Sequence, residues 1–154
     1  MPSFPSRPRE LRTSVIIKAP AANVWRHLID FSSYADWNPL VKEAEASKEA
    51  AKGVKLSLKL FNEETVTAEI VACEAPRRLH WRVTPIMPWT FVSDHEFTLR
   101  ALDEATTEVV HVARFRSLLR PFFGGHLRHE HEKFLEHDAK LKLRSERVTV
   151  GSQA

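Results

Sequence analysis

The residues best suited to chemistry in this chain are two histidines on neighbouring stretches. His95 stands in "FVSDHEFTLR" (residues 91–100) and His111 in "TEVVHVARFR" (107–116). At the two-residue period of a strand, the first stretch puts Phe91, Ser93, His95, Phe97 and Leu99 on one face. The opposite face carries Asp94, Glu96 and Arg100 and belongs in water, so His95 sits on a face that should be buried. The second stretch does the same with Thr107, Val109, His111, Ala113 and Phe115. With "LDEAT" (102–106) as a hairpin loop, Leu99 lies across from Thr107, Phe97 from Val109 and His95 from His111. A slip of one pair would make the two imidazoles diagonal neighbours, still within reach.

An imidazole buried without a partner costs roughly 2–7 kcal/mol on apolar transfer scales. Two of them in a dry core would be hard to offset when a domain's whole stability is about 5–15 kcal/mol. Either each ring is satisfied by a neighbour or the face is not dry. Large residues (Trp81, Phe91, Phe97, Phe115) alternate with small ones (Ala68, Ser93, Ala113), which leaves room. Three roles stand open for the pair: a hydrogen-bonded core contact, polar handles for a bound ligand, or an acid/base pair. No activated nucleophile accompanies them.

Four further histidines, His126, His129, His131 and His137, lie near the C-terminus. Metal ligation from a helix needs ligands on one face, as at i and i+4. His126 and Glu130 have that spacing, while His129 and His131 point apart, so a solvated helix face is expected, with no metal and no cofactor. Cys73 reads as a packing residue.

The elements that must position the pair follow from periodicity. "LRTSVIIKA" (11–19) reads as a strand with Thr13, Val15 and Ile17 on one face. Pro20 opens a helix whose stripe is Val24, Trp25, Leu28 and Ile29. A short second helix follows with Phe31, Tyr34 and Trp37, stopped at Asn38–Pro39. Period two then takes over. An edge strand near Val41 precedes Val54, Leu56, Leu58 and Leu60 inward, then Val66, Ala68, Ile70 and Ala72, then Leu79, Trp81 and Val83. With the two histidine strands these form an antiparallel meander. The last segment is a long helix with a stripe through Phe123, Leu127, Phe134 and Leu141, and Gly124–Gly125 marks a bend or close approach near its start. The order describes an α+β domain: a strand, two short helices, six strands and one long helix.

Composition narrows the function. A chain of 154 residues with 43% hydrophobic and 28% charged residues suits a single domain, expected over 11–147 with tails at 1–10 and 148–154. Net charge is +3 and the pI about 9.2, yet 23 basic residues are interleaved with 20 acidic ones, which argues against nucleic acid. No run reaches the roughly 20 apolar residues of a membrane span, and the N-terminus lacks the apolar segment of a secretory signal. One cysteine excludes an internal disulfide and fits a cytoplasmic protein.

The segments "IIKAPAANVWRHLIDFSSYADWNPL", "VTAEIVACEAPRRLHWRV" and "HEFTLRALDEATTEVVHVARF", before a long final helix, resemble the START-like superfamily, often called SRPBCC. This group includes polyketide cyclases and dehydrases, lipid-transfer domains and plant pollen allergens. The resemblance implies a helix-grip fold: a curved seven-stranded antiparallel sheet wrapped around the C-terminal helix, enclosing an apolar cavity. The expected occupant is a small hydrophobic molecule such as a lipid or aromatic polyketide, held by a carrier or sensor. Its residues would be Trp37, Leu56, Leu58, Trp81, Phe91, His95, Phe97, His111, Phe115, Phe122, Phe123, Leu127 and Phe134. The alternative is a cyclase/dehydrase-type enzyme using the same cavity, with His95 or His111 moving protons. A third reading, an interaction module acting through its outer surface, ranks last because the outward register is mostly charged. A monomer or homodimer is expected.

Overall fold

The computed structural model describes residues 9–83, 92–116 and 126–151, with side chains at 10–83, 92–115 and 130–147. Strand β1 (Arg9–Ile17) is followed by helix α1 (Ala21–Ile29), a 3-10 turn (Phe31–Ser33) and the short helix α2 (Tyr34–Trp37). Strands β2 (Val41–Ala46), β3 (Lys55–Leu60), β4 (Thr65–Glu74), β5 (Arg78–Val83), β6 (Val92–Asp103) and β7 (Thr106–Arg116) come next, and helix α3 (His126–Gly151) ends the series. The strands form one antiparallel sheet in the order β1-β7-β6-β5-β4-β3-β2. Thus β2 to β7 are a meander, and β1 closes onto β7.

Alternation decides which face is covered. In β1, Thr13 and Ile17 are buried while Ile16 is exposed; in β5, Leu79, Trp81 and Val83 are buried with His80 and Arg82 turned outward. The outward side chains form cross-strand pairs, Arg78–Glu96 at 2.8 Å, His80–Asp94 at 2.9 Å and Arg82–Asp94 at 2.7 Å. Each such surface pair contributes only about 0–1 kcal/mol. Helix α3 lays one stripe inward, Phe134, His137, Asp138, Leu141 and Ser145, at the i, i+3, i+4, i+7 spacing of a helix face. That stripe lies against β1 and α1.

Between β1 and β2 the chain turns by local hydrogen bonds. Pro20 stands at the N-cap of α1, one residue earlier than the sequence suggests, with φ −58° and ψ 147°. Its carbonyl accepts the amides of Asn23 at 3.0 Å and Val24 at 3.3 Å. Asn38, held extended before Pro39, ends α2, and its Oδ1 accepts the amides of Leu40 at 2.9 Å and Val41 at 3.2 Å. Tyr34 is buried, and its hydroxyl donates to the Leu28 carbonyl.

Several expectations need correction. The β6–β7 hairpin is tighter than a loop at 102–106: the strands run to Asp103 and from Thr106, and the ladder shifts register between Ala101 and Asp103. The pairing therefore slips by one pair, to His95 opposite Ala113, Phe97 opposite His111 and Leu99 opposite Val109. In β4 a shift between Ile70 and Ala72 sets Cys73, not Ala72, across from the buried Leu79. An extra residue in one strand swaps the faces beyond it. At the ends, β1 begins at Arg9 and α3 reaches Gly151, each beyond the limits expected for the domain. Gly124–Gly125 lie outside the described residues.

Candidate functional site

The slip in β6–β7 brings the two histidines together diagonally. Nδ1 of His95 and Nε2 of His111 are 3.2 Å apart. His95 stacks on Trp81, the neighbour that β5–β6 pairing sets beside it, with ring centroids 4.1 Å apart and planes 13° from parallel. His111 is sandwiched between Phe97 at 4.2 Å and Phe134 of α3 at 4.5 Å. Two aromatic neighbours fix each ring's plane, so the shared hydrogen bond is set by packing.

Burial is the main influence on both rings. Desolvation, helped by the nearby His137, pushes the His95 pKa down to about 3. His111 is lowered well below its ordinary value, again chiefly by desolvation, with His137 and His95 adding to it. Both rings are therefore neutral at pH 7, and the bond between them carries one proton. Either His95 Nδ1–H donates to His111, or His111 Nε2–H donates to His95. In the first case His95 acts as the donor and His111 carries its one N–H proton on Nδ1; in the second, His111 Nδ1 is a bare lone pair.

On the other side of His95 lies a cavity of about 60 Å³, part of a concavity that spans about 600 Å³ when open solvent is included. Trp81 and Val83 of β5, Ser93, His95 and Phe97 of β6, and Phe115 of β7 form the sheet wall. Phe134, His137 and Glu130 come from α3, and Tyr34, Asn38, Leu40 and Val41 from α2 and the start of β2. Leu60 and Phe61 complete it at the end of β3. Most of the wall is apolar, and its polar members are Tyr34, Asn38, Ser93, His95, Glu130 and His137. That volume has room for a few waters. It is well short of the roughly 300 Å³ at which drug-sized sites begin.

The sequence reading places five of its residues here: Trp81, His95, Phe97, Phe115 and Phe134. Four others are in the core without lining the cavity. Leu56 and Leu58 pack in the solid part of the core on β3, and Trp37 packs against Tyr34 at 5.4 Å and His137 at 5.2 Å. His111 is 0% exposed and stands behind His95. Phe91, Phe122 and Phe123 lie outside the described residues, as does the side chain of Leu127.

Sequence reasoning did not count Tyr34, Leu40, Val41, Leu60, Phe61, Val83, Ser93, Glu130 and His137 among the site residues, although Leu60, Val83 and Ser93 stand on the inward faces it reads. His137 also corrects the expectation of a solvated histidine face. His131 is exposed as expected, but His137 is 1% exposed and packs against Trp37, Phe97 and His111. Its position three residues after Phe134 and four before Leu141 was the available signal.

The family model described as "Polyketide cyclase / dehydrase and lipid transport" matches residues 8–145. Among solved structures, the Zhui aromatase/cyclase from Streptomyces sp. R1128 is 21% identical, with a TM-score of 0.74 over 92% of this chain and 95% of that one. A START superfamily protein from Mycobacterium smegmatis is 17% identical, with a TM-score of 0.72 over 90% and 98%. A hypothetical protein from Helicobacter pylori is 14% identical, with a TM-score of 0.77 over 89% and 88%. At these identities the likeness is one of fold, a curled seven-stranded half-barrel gripping a C-terminal helix. No curated protein sequence gives a significant match. Among the described residues no helix is long and apolar enough to cross a membrane. The match along most of its length shows that the chain belongs to the polyketide cyclase/dehydrase and lipid transport family, whose fold builds a ligand cavity.

Proposed function

We propose that the protein is a carrier or sensor for a small hydrophobic molecule bearing at least one hydrogen-bonding group, such as a lipid or an aromatic polyketide. The observation that carries this reading is a pair of neutral imidazoles at one point of a mostly apolar wall, His95 facing the cavity and His111 locking it from behind. An apolar wall with a few fixed polar groups suits binding by shape, with orientation set by one or two hydrogen bonds. Trp81, Phe97, Phe115 and Phe134 would contact the apolar body of the guest, and His95 and Ser93 its polar group. Because the enclosed space is about 60 Å³, a guest of that class widens the gap between sheet and α3 as it binds. We place this activity in the cytoplasm, in a monomer or homodimer, with no role for nucleic acid.

The enzyme reading uses the same wall with His95 or His111 as acid/base. It fits less well, since a general base works best with a pKa near the operating pH and His95 is held at about 3.

Titration with oleic acid and with a hydroxylated anthraquinone, followed by tryptophan fluorescence, tests the proposal. Saturable binding of one of them, weakened about tenfold or more by Ser93→Phe, is expected, because losing well-fitted contacts of about 1.4 kcal/mol gives that factor. Absence of saturable binding, or equal affinity in Ser93→Phe, overturns the reading. Turnover of a poly-keto substrate that His95→Phe abolishes would favour the enzyme instead.

A further inference from the structure

A polar cluster at the back of the cavity wall shares His111 with the reading above and gives it, with His137 and Asp138, a role that reading does not use. His111, His137 and Asp138 are 0%, 1% and 4% exposed. One ligand atom from each lies within 4.8 Å of the others. Among the described residues, Nδ1 of His111 and Oδ2 of Asp138 have no hydrogen-bond partner. Neither does Oγ1 of Thr13, the residue that β1–β7 pairing sets directly across from His111. His111 and Asp138, two of these residues, have ligand atoms close together between β7 and α3 and call for a shared partner, since buried polar groups are almost always satisfied.

The protein groups nearby do not supply one. The ion-pair contact of Asp138 is with its sequence neighbour His137, where Nδ1 and Oδ1 are 3.5 Å apart, at the outer limit of a hydrogen bond. No lysine or arginine pairs with Asp138 among the described residues. His111 has its Nε2 taken up with His95, which leaves Nδ1 as the nitrogen free to bind.

From this the geometry points to a buried site for a divalent first-row transition ion, zinc by preference, held by His111 Nδ1, one ring nitrogen of His137 and Asp138 Oδ2. Two imidazoles and a carboxylate form a donor set that suits zinc, with a further coordination position open. The cation also neutralises the buried carboxylate. The His95–His111 bond then gains a definite direction. A metal on His111 Nδ1 leaves the proton on Nε2, which donates to His95 Nδ1, the outer-shell support that metal-bound histidines usually have. Closing the triangle to metal-ligand distances near 2 Å requires a small inward shift of α3 against the sheet.

The experiment is a Co²⁺ and Zn²⁺ titration of chelator-stripped full-length protein, read by visible absorption and by thermal shift. The expected result is one saturating equivalent, with the ligand-field bands of low-coordinate Co²⁺ and a rise in Tm with Zn²⁺. Asp138→Asn, nearly isosteric, should weaken binding about 100-fold or more, since removing a ligand costs at least as much as removing an outer-shell partner. The control is a triple variant His126→Gln/His129→Gln/His131→Gln, which removes the other helix histidines and should bind as the parent does. Binding lost only in that control, binding unchanged in Asp138→Asn, or no saturable binding overturns the site. Should Asp138→Asn fail to fold, NMR of the Co²⁺-loaded parent decides. Paramagnetic shifts of the His111 and His137 rings uphold the site, and shifts confined to other histidines refute it.

Discussion

Replacing His95 with phenylalanine should cost stability, and replacing His111 as well should give much of it back. His95 Nδ1 and His111 Nε2 are each other's partners at 3.2 Å. Phenylalanine at 95 keeps the stack on Trp81 but strands the His111 nitrogen, and at 0% exposure that ring cannot turn to water. Leaving a buried polar group unsatisfied costs about 1–3 kcal/mol. His111→Phe strands His95 instead; because His95 faces the cavity, water can reach it and the penalty falls near the lower end, about 1 kcal/mol. In the double variant neither stranded group exists, so its loss should fall short of the summed losses by both penalties together, roughly 2–4 kcal/mol. With a urea m-value of about 1–3 kcal/mol/M, a single variant's midpoint should drop by the order of 1 M. The assay is urea unfolding of all four proteins at pH 7.5 with EDTA, where both rings are neutral and no metal contributes. Additivity within about 0.5 kcal/mol would show that the rings are not coupled and refute the reasoning.

Other outcomes follow from the same contacts. Phe134→Ala removes a ring that is 1% exposed and stacked on His111, and should cost about 3–5 kcal/mol in chemical denaturation; a cost below about 1 kcal/mol would mean α3 does not seal the sheet. Asn38→Ala frees the amides of Leu40 and Val41 and should cost about 1–3 kcal/mol, measured as a fall in Tm, while no change would show that Pro39 alone fixes the turn. Tyr34 is a pH prediction. Burial raises its pKa above the ordinary 10.0, so the unfolded chain loses the phenol proton first. Its contribution is complete below pH 10 and declines as pH rises above that value, by up to about 1.4 kcal/mol per pH unit. Tyr34→Phe should lack this alkaline slope, and parallel stability–pH curves for the two proteins between pH 9 and 11 would contradict the assignment.

The sheet was legible because its strands alternate cleanly: Leu56 and Leu58 in with Lys55, Ser57 and Lys59 out, or Leu79 and Trp81 in with His80 out. Three points of register were not, since the shifts near Lys42, Val71 and Leu102 add a residue without a residue type that announces it. The meeting of His95 and His111 survived the slip because diagonal neighbours on one face still touch. Cavity walls are harder to read than cores. Leu56 and Trp81 share the same inward pattern, yet only Trp81 borders the space. Asn38 and Phe61 reach the site through turns, where periodicity carries no information. His137 was misjudged because a histidine among charged residues looks solvated until its place on the Phe134–Leu141 stripe is counted.

Native mass spectrometry of the protein as purified, beside Ser93→Phe, tests the central claim most directly. The parent should carry a lipophilic guest as a discrete added mass at one per chain, and Ser93→Phe should fly largely without it. Guest-free spectra for both, or the same added mass retained in the variant, would contradict a binding site between the sheet and α3.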